Sequence, residues 1–127
     1  DSYVHRYPKN LSKLLGLSQY YFPIFERELL AEGLPVELKY LPVIESALNP
    51  TARSRVGVMG LWEFMPYTGK LYGLEINSLI DERCDVIKST KAAVKYLKDL
   101  YRKFCHHQSV YILLVALQYN NVLHYLQ

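Results

Sequence analysis

Apolar residues recur along this chain mostly at three- and four-residue steps, the period of helices packed on a shared core. Residues 1–9 show no such period and read as an arm. Asn10 to Gly16 predicts a short helix capped by Asn10 or Ser12, and Ser18 predicts the cap of a second. That second helix carries Tyr21, Phe22, Phe25, Leu29 and Leu30 on one face, with Pro23 in or near its first turn and Gly33 as its stop. Pro35 suits the start of a third helix, whose core face is Leu38, Leu41, Ile44 and Leu48. Pro42 predicts a kink or break within it, and Asn49-Pro50 its end.

Thr51 to Met59 reads as loop, and Gly57 and Gly60 permit backbone shapes or close approaches that a side chain blocks. Leu61 to Met65 predicts one helical turn. Pro66 and Thr68 open another short piece, closed by Gly73, and Leu74 to Cys84 is irregular. Asp85 then caps the longest helix, Val86 to Phe104, with Thr90, Ala93, Val94, Leu97, Leu100, Tyr101 and Phe104 as its buried stripe. Ser109 to Leu117 is apolar on all sides and predicts a central buried helix. The fold class is therefore mainly α, about six or seven helices around that central helix.

The length of 127 residues fits one domain able to bury a core without metals or disulfides. A net charge of +3 with no basic stripe gives no reason to expect nucleic acid as a partner. The twelve tyrosines suit either a wet groove or a core of hydroxyl-tipped aromatics. Cys84 and Cys105 cannot make a four-thiolate site, and no histidine stands at zinc-ligand spacing from them, so no metal site is expected; a disulfide between them stays open. No apolar run reaches the roughly 18 residues that span a bilayer. The chain opens on Asp1, and it reads as an excised domain whose export signal lies outside it.

The stretch Leu41 to Pro66, LPVIESALNPTARSRVGVMGLWEFMP, is where chemistry concentrates. Glu45 falls one step round from Leu41 and Ile44, at the margin of the apolar face, and Glu63 follows among Trp62, Phe64 and Met65. The plain alternative for Glu45 is a surface glutamate on an amphipathic helix. For the aromatic run it is core packing.

In order and spacing, several pieces resemble the lytic transglycosylase (SLT) domain of the goose-lysozyme-like superfamily. They are Leu34-Pro35 with Glu37 to Ser46; Asn49-Pro50; Ser54 with Gly57; Gly60-Leu61-Trp62 with Phe64-Met65-Pro66 and Thr68-Gly69; Tyr72-Gly73; Asp81-Glu82-Arg83 with Asp85; Ser89-Thr90 with Ala92-Ala93 and Tyr96-Leu97; and Tyr119-Asn120. They cover about two thirds of the chain, roughly residues 34–120. The resemblance implies a lysozyme-like fold in which residues 1–33 are an N-terminal arm and helical lead-in and residues 34–127 the catalytic domain. It implies cleavage of the β-1,4 bond between N-acetylmuramic acid and N-acetylglucosamine in peptidoglycan, with the muramic acid 6-hydroxyl closing on its own anomeric carbon.

By the same resemblance Glu45 is the single acid/base. Ser46 and Ser54 orient it or the substrate, and Trp62, Glu63, Phe64 and Met65 form the groove wall. Gly57 and Gly60 let the loop lie near the glycan, the Tyr119 hydroxyl approaches the acid, and Asn120 fixes the local backbone. Ile44, Leu48, Leu61 and Phe64 are expected to give the acid its apolar surroundings. No cofactor is implied. The implied partners are peptidoglycan glycan strands, met by an exported monomer in the periplasm or cell envelope, with any membrane anchor or carbohydrate-binding module outside this chain.

Two departures from the family matter. Glu63 stands where the family usually has glutamine; an amide donates and accepts, whereas an ionised carboxylate only accepts. A charge there is expected to raise the pKa of Glu45, or to serve a water-using muramidase as its second carboxylate. After Tyr119-Asn120 the sequence leaves the family pattern, so an incomplete C-terminus is expected. The third reading is a catalytically silent domain that binds the cell wall.

Overall fold

The computed structural model describes residues 2–104, with side-chain surroundings for residues 10–103. Four α-helices and two short 3₁₀ turns occur in this span. They are α1 (Ser2–Ala31), a 3₁₀ turn at Val36–Tyr40, α2 (Leu41–Ser46), α3 (Pro66–Leu71), a 3₁₀ turn at Glu82–Cys84, and α4 (Val86–Phe104). No strand forms among the described residues, only isolated bridges, so the mainly α expectation holds, and the described residues carry four of the six or seven helices expected for the chain. The buried helix expected at Ser109 to Leu117, together with Cys105, Tyr119 and Asn120, lies outside the described residues.

The arm, the short helix and the second helix expected before Gly33 are instead one helix of 30 residues. Ser18 is no cap: its hydroxyl donates to the Leu15 carbonyl at 2.8 Å, within the helix. Pro23 sits in the interior of this helix, on its exposed side. Tertiary packing overrides these local signals. Tyr21, Phe25 and Leu29, at steps of four, are buried in one cluster with Val94, Leu97 and Leu100 of α4. Burying Phe25 completely contributes about 2–3 kcal/mol. Gly33, at φ 70°, stops the helix as expected, with the Leu34 N–H returning to the Leu29 carbonyl at 2.9 Å.

The other long helix follows its sequence closely. Asp85 caps α4 by accepting from the Lys88 N–H at 2.8 Å, and Thr90, Ala93, Val94, Leu97 and Leu100 form the buried stripe; Tyr101 is only half-buried, and the surroundings of Phe104 lie outside those described. Lys98 reaches across to Glu32, in the turn that follows α1, at 2.6 Å, a partly exposed pair that water screens.

Between the long helices the chain breaks at Pro42 as the sequence suggests, passing from 3₁₀ turn to α-helix, with that proline in the first turn of α2. The phase change alters the buried face. Leu38, Leu41 and Leu48 are in the core, but Ile44 is 66% exposed and Ser46 is buried in its stead. The helix ends at Ser46 rather than at Asn49-Pro50, because Ala47 (φ 50°) and Leu48 (φ 59°) are both left-handed and turn Leu48 into the core. A second, smaller cluster gathers Phe64, Leu74, Ala92 and Ala93. Trp62 and Tyr96 pack against both clusters, and the seam between the clusters is where the polar chemistry lies.

Candidate active site

A cleft opens along that seam, lined by Leu41 and Glu45 of α2, Trp62 to Met65, Thr68 of α3, and Ala93, Tyr96 and Leu97 of α4. Glu45 enters it because it follows Leu41 by four residues and so shares its helix face. Ser46 locks the helix to the opposite wall: its hydroxyl oxygen lies 2.8 Å from both the Pro42 and Leu61 carbonyls. The single hydroxyl proton serves one carbonyl at a time.

The loop that carries Glu63 is not the helical turn expected at Leu61 to Met65. Met59 and Phe64 exchange both backbone hydrogen bonds at 3.1 Å, and the Glu63 N–H closes a turn onto the Gly60 carbonyl at 3.2 Å. Glu63 itself takes the left-handed backbone, φ 51°, which a non-glycine residue adopts only when its surroundings impose it. Trp62 is half-buried. It donates Nε1–H to the Thr90 hydroxyl at 3.1 Å, and its ring meets Phe25 edge-on at 5.1 Å, so it is both cleft wall and core. Phe64 is buried, with its ring 6.2 Å from that of Tyr96.

Arg83, 6% exposed, fixes this loop from beneath. Its Nη1 donates to the carbonyls of Gly57 (2.7 Å) and Phe64 (3.0 Å), so one guanidinium group ties the two ends of the 57–64 segment. Nε and Nη2 grip Asp81 at 2.9 and 2.7 Å, and that hydrogen-bonded pairing holds the Asp81 carboxyl below its ordinary range. The Arg83 backbone also takes the space beside Gly60, where a Cβ would stand 2.0 Å from its carbonyl oxygen. Gly60→Ala, with this clash added to a φ of 89°, should cost at least about 3 kcal/mol. Gly57→Ala, at φ 94° but with no neighbour within 4 Å, should cost about 1 kcal/mol. Chemical denaturation of the two variants side by side checks the contrast.

Of the residues singled out in the sequence, Glu45, Trp62, Glu63, Phe64 and Met65 come together in the cleft. Gly60 is buried against Arg83, and Ser54 accepts from the Val58 N–H at 3.3 Å within its own loop; neither lines the cleft. The expected apolar surroundings of Glu45 are corrected in part. Phe64 contributes, but Ile44 faces solvent and Leu48 and Leu61 lie in the core, while Leu41, Trp62, Met65, Ala93 and Leu97 supply the rest. Sequence reasoning missed the cleft roles of Thr68 and Tyr96 and the support from Arg83. The buried stripe of α4 was the available signal for its wall.

Burial raises the Glu45 carboxyl above its ordinary 4.5. Burial also raises Glu63, and the charge of Glu45 adds to it. The rise at Glu45 links stability to pH. A carboxyl whose folded pKa exceeds its unfolded one holds its proton more tightly in the fold. The contribution of Glu45 to stability is therefore full below about 4.5, the unfolded value, and is lost as pH rises through the folded value. Glu45→Gln, which cannot ionise, should melt higher than the parent at pH 7, and calorimetry should find the difference shrinking as the pH falls toward 4.5.

A family model described as the Transglycosylase SLT domain matches residues 22–124. Over 72 residues the chain is 41% identical to membrane-bound lytic murein transglycosylase D of Escherichia coli (strain K12), and equally so to the protein of that name from Escherichia coli O6:H1 (strain CFT073). It is 39% identical over 72 residues to a protein of Alteromonas sp. (strain M-1) named for tributyltin chloride resistance. Each match covers 57% of this chain, but 16% of either Escherichia coli protein and 35% of the Alteromonas one. The family model takes in most of the chain, including the helix face of Glu45, the loop of Glu63 and the wall of α4. The chain belongs to the transglycosylase SLT domain family.

Proposed function

We propose that the chain is the catalytic domain of a peptidoglycan lytic transglycosylase, with Glu45 as its single general acid/base. The observation that carries this reading is the placement of Glu45. It is a carboxyl on a short helix, half-buried in a cleft with apolar walls, and no basic side chain is among the described lining residues. Such surroundings favour the protonated form, which a general acid needs near neutral pH. Family membership and the relatives named for murein support the substrate.

Glu45 gives its proton to the glycosidic oxygen as the bond to the anomeric carbon of N-acetylmuramic acid breaks. The 6-hydroxyl oxygen of the same sugar bonds to that carbon, and its proton returns to Glu45. Atoms balance with no water consumed, and the product ends in a 1,6-anhydro ring. The acetamido group stabilises the positive charge that develops at the anomeric carbon. One protein carboxyl suffices because the nucleophile is built into the substrate, unlike the two-carboxylate hydrolases. In this reading Trp62, Phe64 and Met65 form glycan-facing wall, and Ser46 and Ser54 keep α2 and its loop in place. Tyr119 and Asn120 complete the site. Residues 34–127 are the catalytic domain and residues 1–33 its lead-in, acting as an exported monomer in the cell envelope on glycan strands.

A second reading is favoured by Glu63, a carboxyl sharing the cleft: a muramidase in which it activates water. Mass analysis of soluble fragments from purified peptidoglycan separates the readings. Anhydro ends, one water lighter than hydrolysis products, are expected. Reducing ends would establish the muramidase. No product, where a lytic enzyme of known activity works, would leave a cell-wall-binding domain.

A further inference from the structure

The two carboxyl groups of the cleft come from separate elements and are brought together at some conformational cost. Glu45 stands on α2, and Glu63 stands in a left-handed turn at φ 51°. That turn is held by the Glu63–Gly60 hydrogen bond, the Met59–Phe64 bridge and the Arg83 guanidinium on the Phe64 carbonyl. A strained non-glycine backbone tied down on three sides, with its side chain on the cleft, marks a residue placed for a task. Among the described lining residues the remaining hydroxyl groups are Thr68 on α3 and Tyr96 on α4, and none of the lining side chains is basic. Leu41, Trp62, Phe64, Met65, Ala93 and Leu97 make the walls apolar, so two charges there are weakly screened.

We propose that Glu63 is a positioning residue for the acid: its carboxyl group shares the apolar cleft with that of Glu45, the two lose their protons as a coupled pair, and Glu63 acts on the reaction through Glu45. This rests on the reading of Glu45 as general acid. Two interacting carboxyls in one apolar cleft titrate as a pair, and the second proton leaves only at higher pH, because ionising both places like charges in weakly screened surroundings. The direct effect of the Glu45 charge on Glu63 is one side of a reciprocal interaction. Glu63 thereby extends, toward higher pH, the range in which the cleft retains a proton to donate.

The test is an NMR titration of the Glu45 carboxyl carbon in the full chain, beside the pH dependence of turnover on purified peptidoglycan, for the parent, Glu63→Gln and Glu63→Asp. In the parent, Glu45 should titrate in two steps. In Glu63→Gln it should titrate in one step, ending at lower pH, and the high-pH limb of activity should move down with it. Glu63→Asp should keep both steps, which a merely structural role would not require. If glutamine disturbs the left-handed turn, Glu63→Asn, which tolerates that backbone, carries the same test. A single-step Glu45 titration, identical in parent and Glu63→Gln, would overturn the pair. The titration needs no turnover. An inactive parent that still shows two steps would count against the transglycosylase reading while supporting the pair.

Discussion

Glu45→Gln should reduce turnover of peptidoglycan by a thousandfold or more while leaving the fold intact, since general acid–base catalysis by one positioned group is worth about 10²–10⁴-fold and here a single group serves both proton transfers. The amide matches the shape of the protonated carboxyl and satisfies the same cleft, but it neither gives nor takes a proton at neutral pH. Binding of glycan strands should survive, because the walls of Trp62, Phe64 and Met65 are untouched. The loss should therefore fall on kcat rather than KM. Glu45→Asp keeps the chemistry and shortens its reach by one methylene, and should lose about a hundredfold. If Glu45→Gln kept a tenth of parental activity, the acid would have to be sought elsewhere in the cleft. The same variant should be the more heat-stable protein at neutral pH, so lost activity and gained stability together would separate a catalytic role from damage.

The second large effect should come from a residue outside the cleft. Arg83→Met removes a buried guanidinium and leaves Asp81, 25% exposed, without its partner and the Gly57 and Phe64 carbonyls without their donor. Breaking such a pair from one side costs about 3 kcal/mol, which in a chain of this size lowers Tm by roughly 10 °C. Arg83→Lys should recover only part of this. A single ammonium cannot grip both carboxylate oxygens while also spanning two carbonyls. Because those carbonyls sit at the two ends of the loop bearing Glu63, the lysine variant should also bind glycan less well at temperatures where it is fully folded. Calorimetry with a substrate titration reads both effects. An unchanged Tm in Arg83→Met would mean that the loop is held by its backbone bridges alone.

The parts of this architecture that were legible are those governed by local chemistry. Asp85 caps α4, its apolar stripe recurs at the helical period, and Gly33 and Gly73 turn the chain at positive φ where the sequence places stops. The proline at 42 was legible as a break but its consequence was not. Moving from 3₁₀ to α geometry at that point rotates Ile44 outward and Ser46 inward. The breaks read before Gly33 were real propensities that lost to packing, because Phe25 and Leu29 gain more against α4 than an interior proline costs. Leu61 to Met65 looked helical because nothing local announces that a glutamate will accept φ 51°; the reciprocal Met59–Phe64 hydrogen bonds hold it there. In the site, Glu45 and the Trp62 to Met65 wall were legible from the ordered motifs. Tyr96 and Arg83 were not given roles, because their effect depends on contacts across dozens of residues that no local period encodes.

In the proposed reaction an internal hydroxyl, not water, takes the place of the leaving sugar. Digesting purified peptidoglycan in water enriched in heavy oxygen tests this most directly. Newly formed muramic ends should appear as anhydro rings carrying no solvent oxygen, and Glu45→Gln should form almost none. Heavy oxygen at the anomeric carbon of the new ends, above the slow exchange seen with reducing sugars alone, would contradict that reaction and make Glu63 the base of a hydrolase.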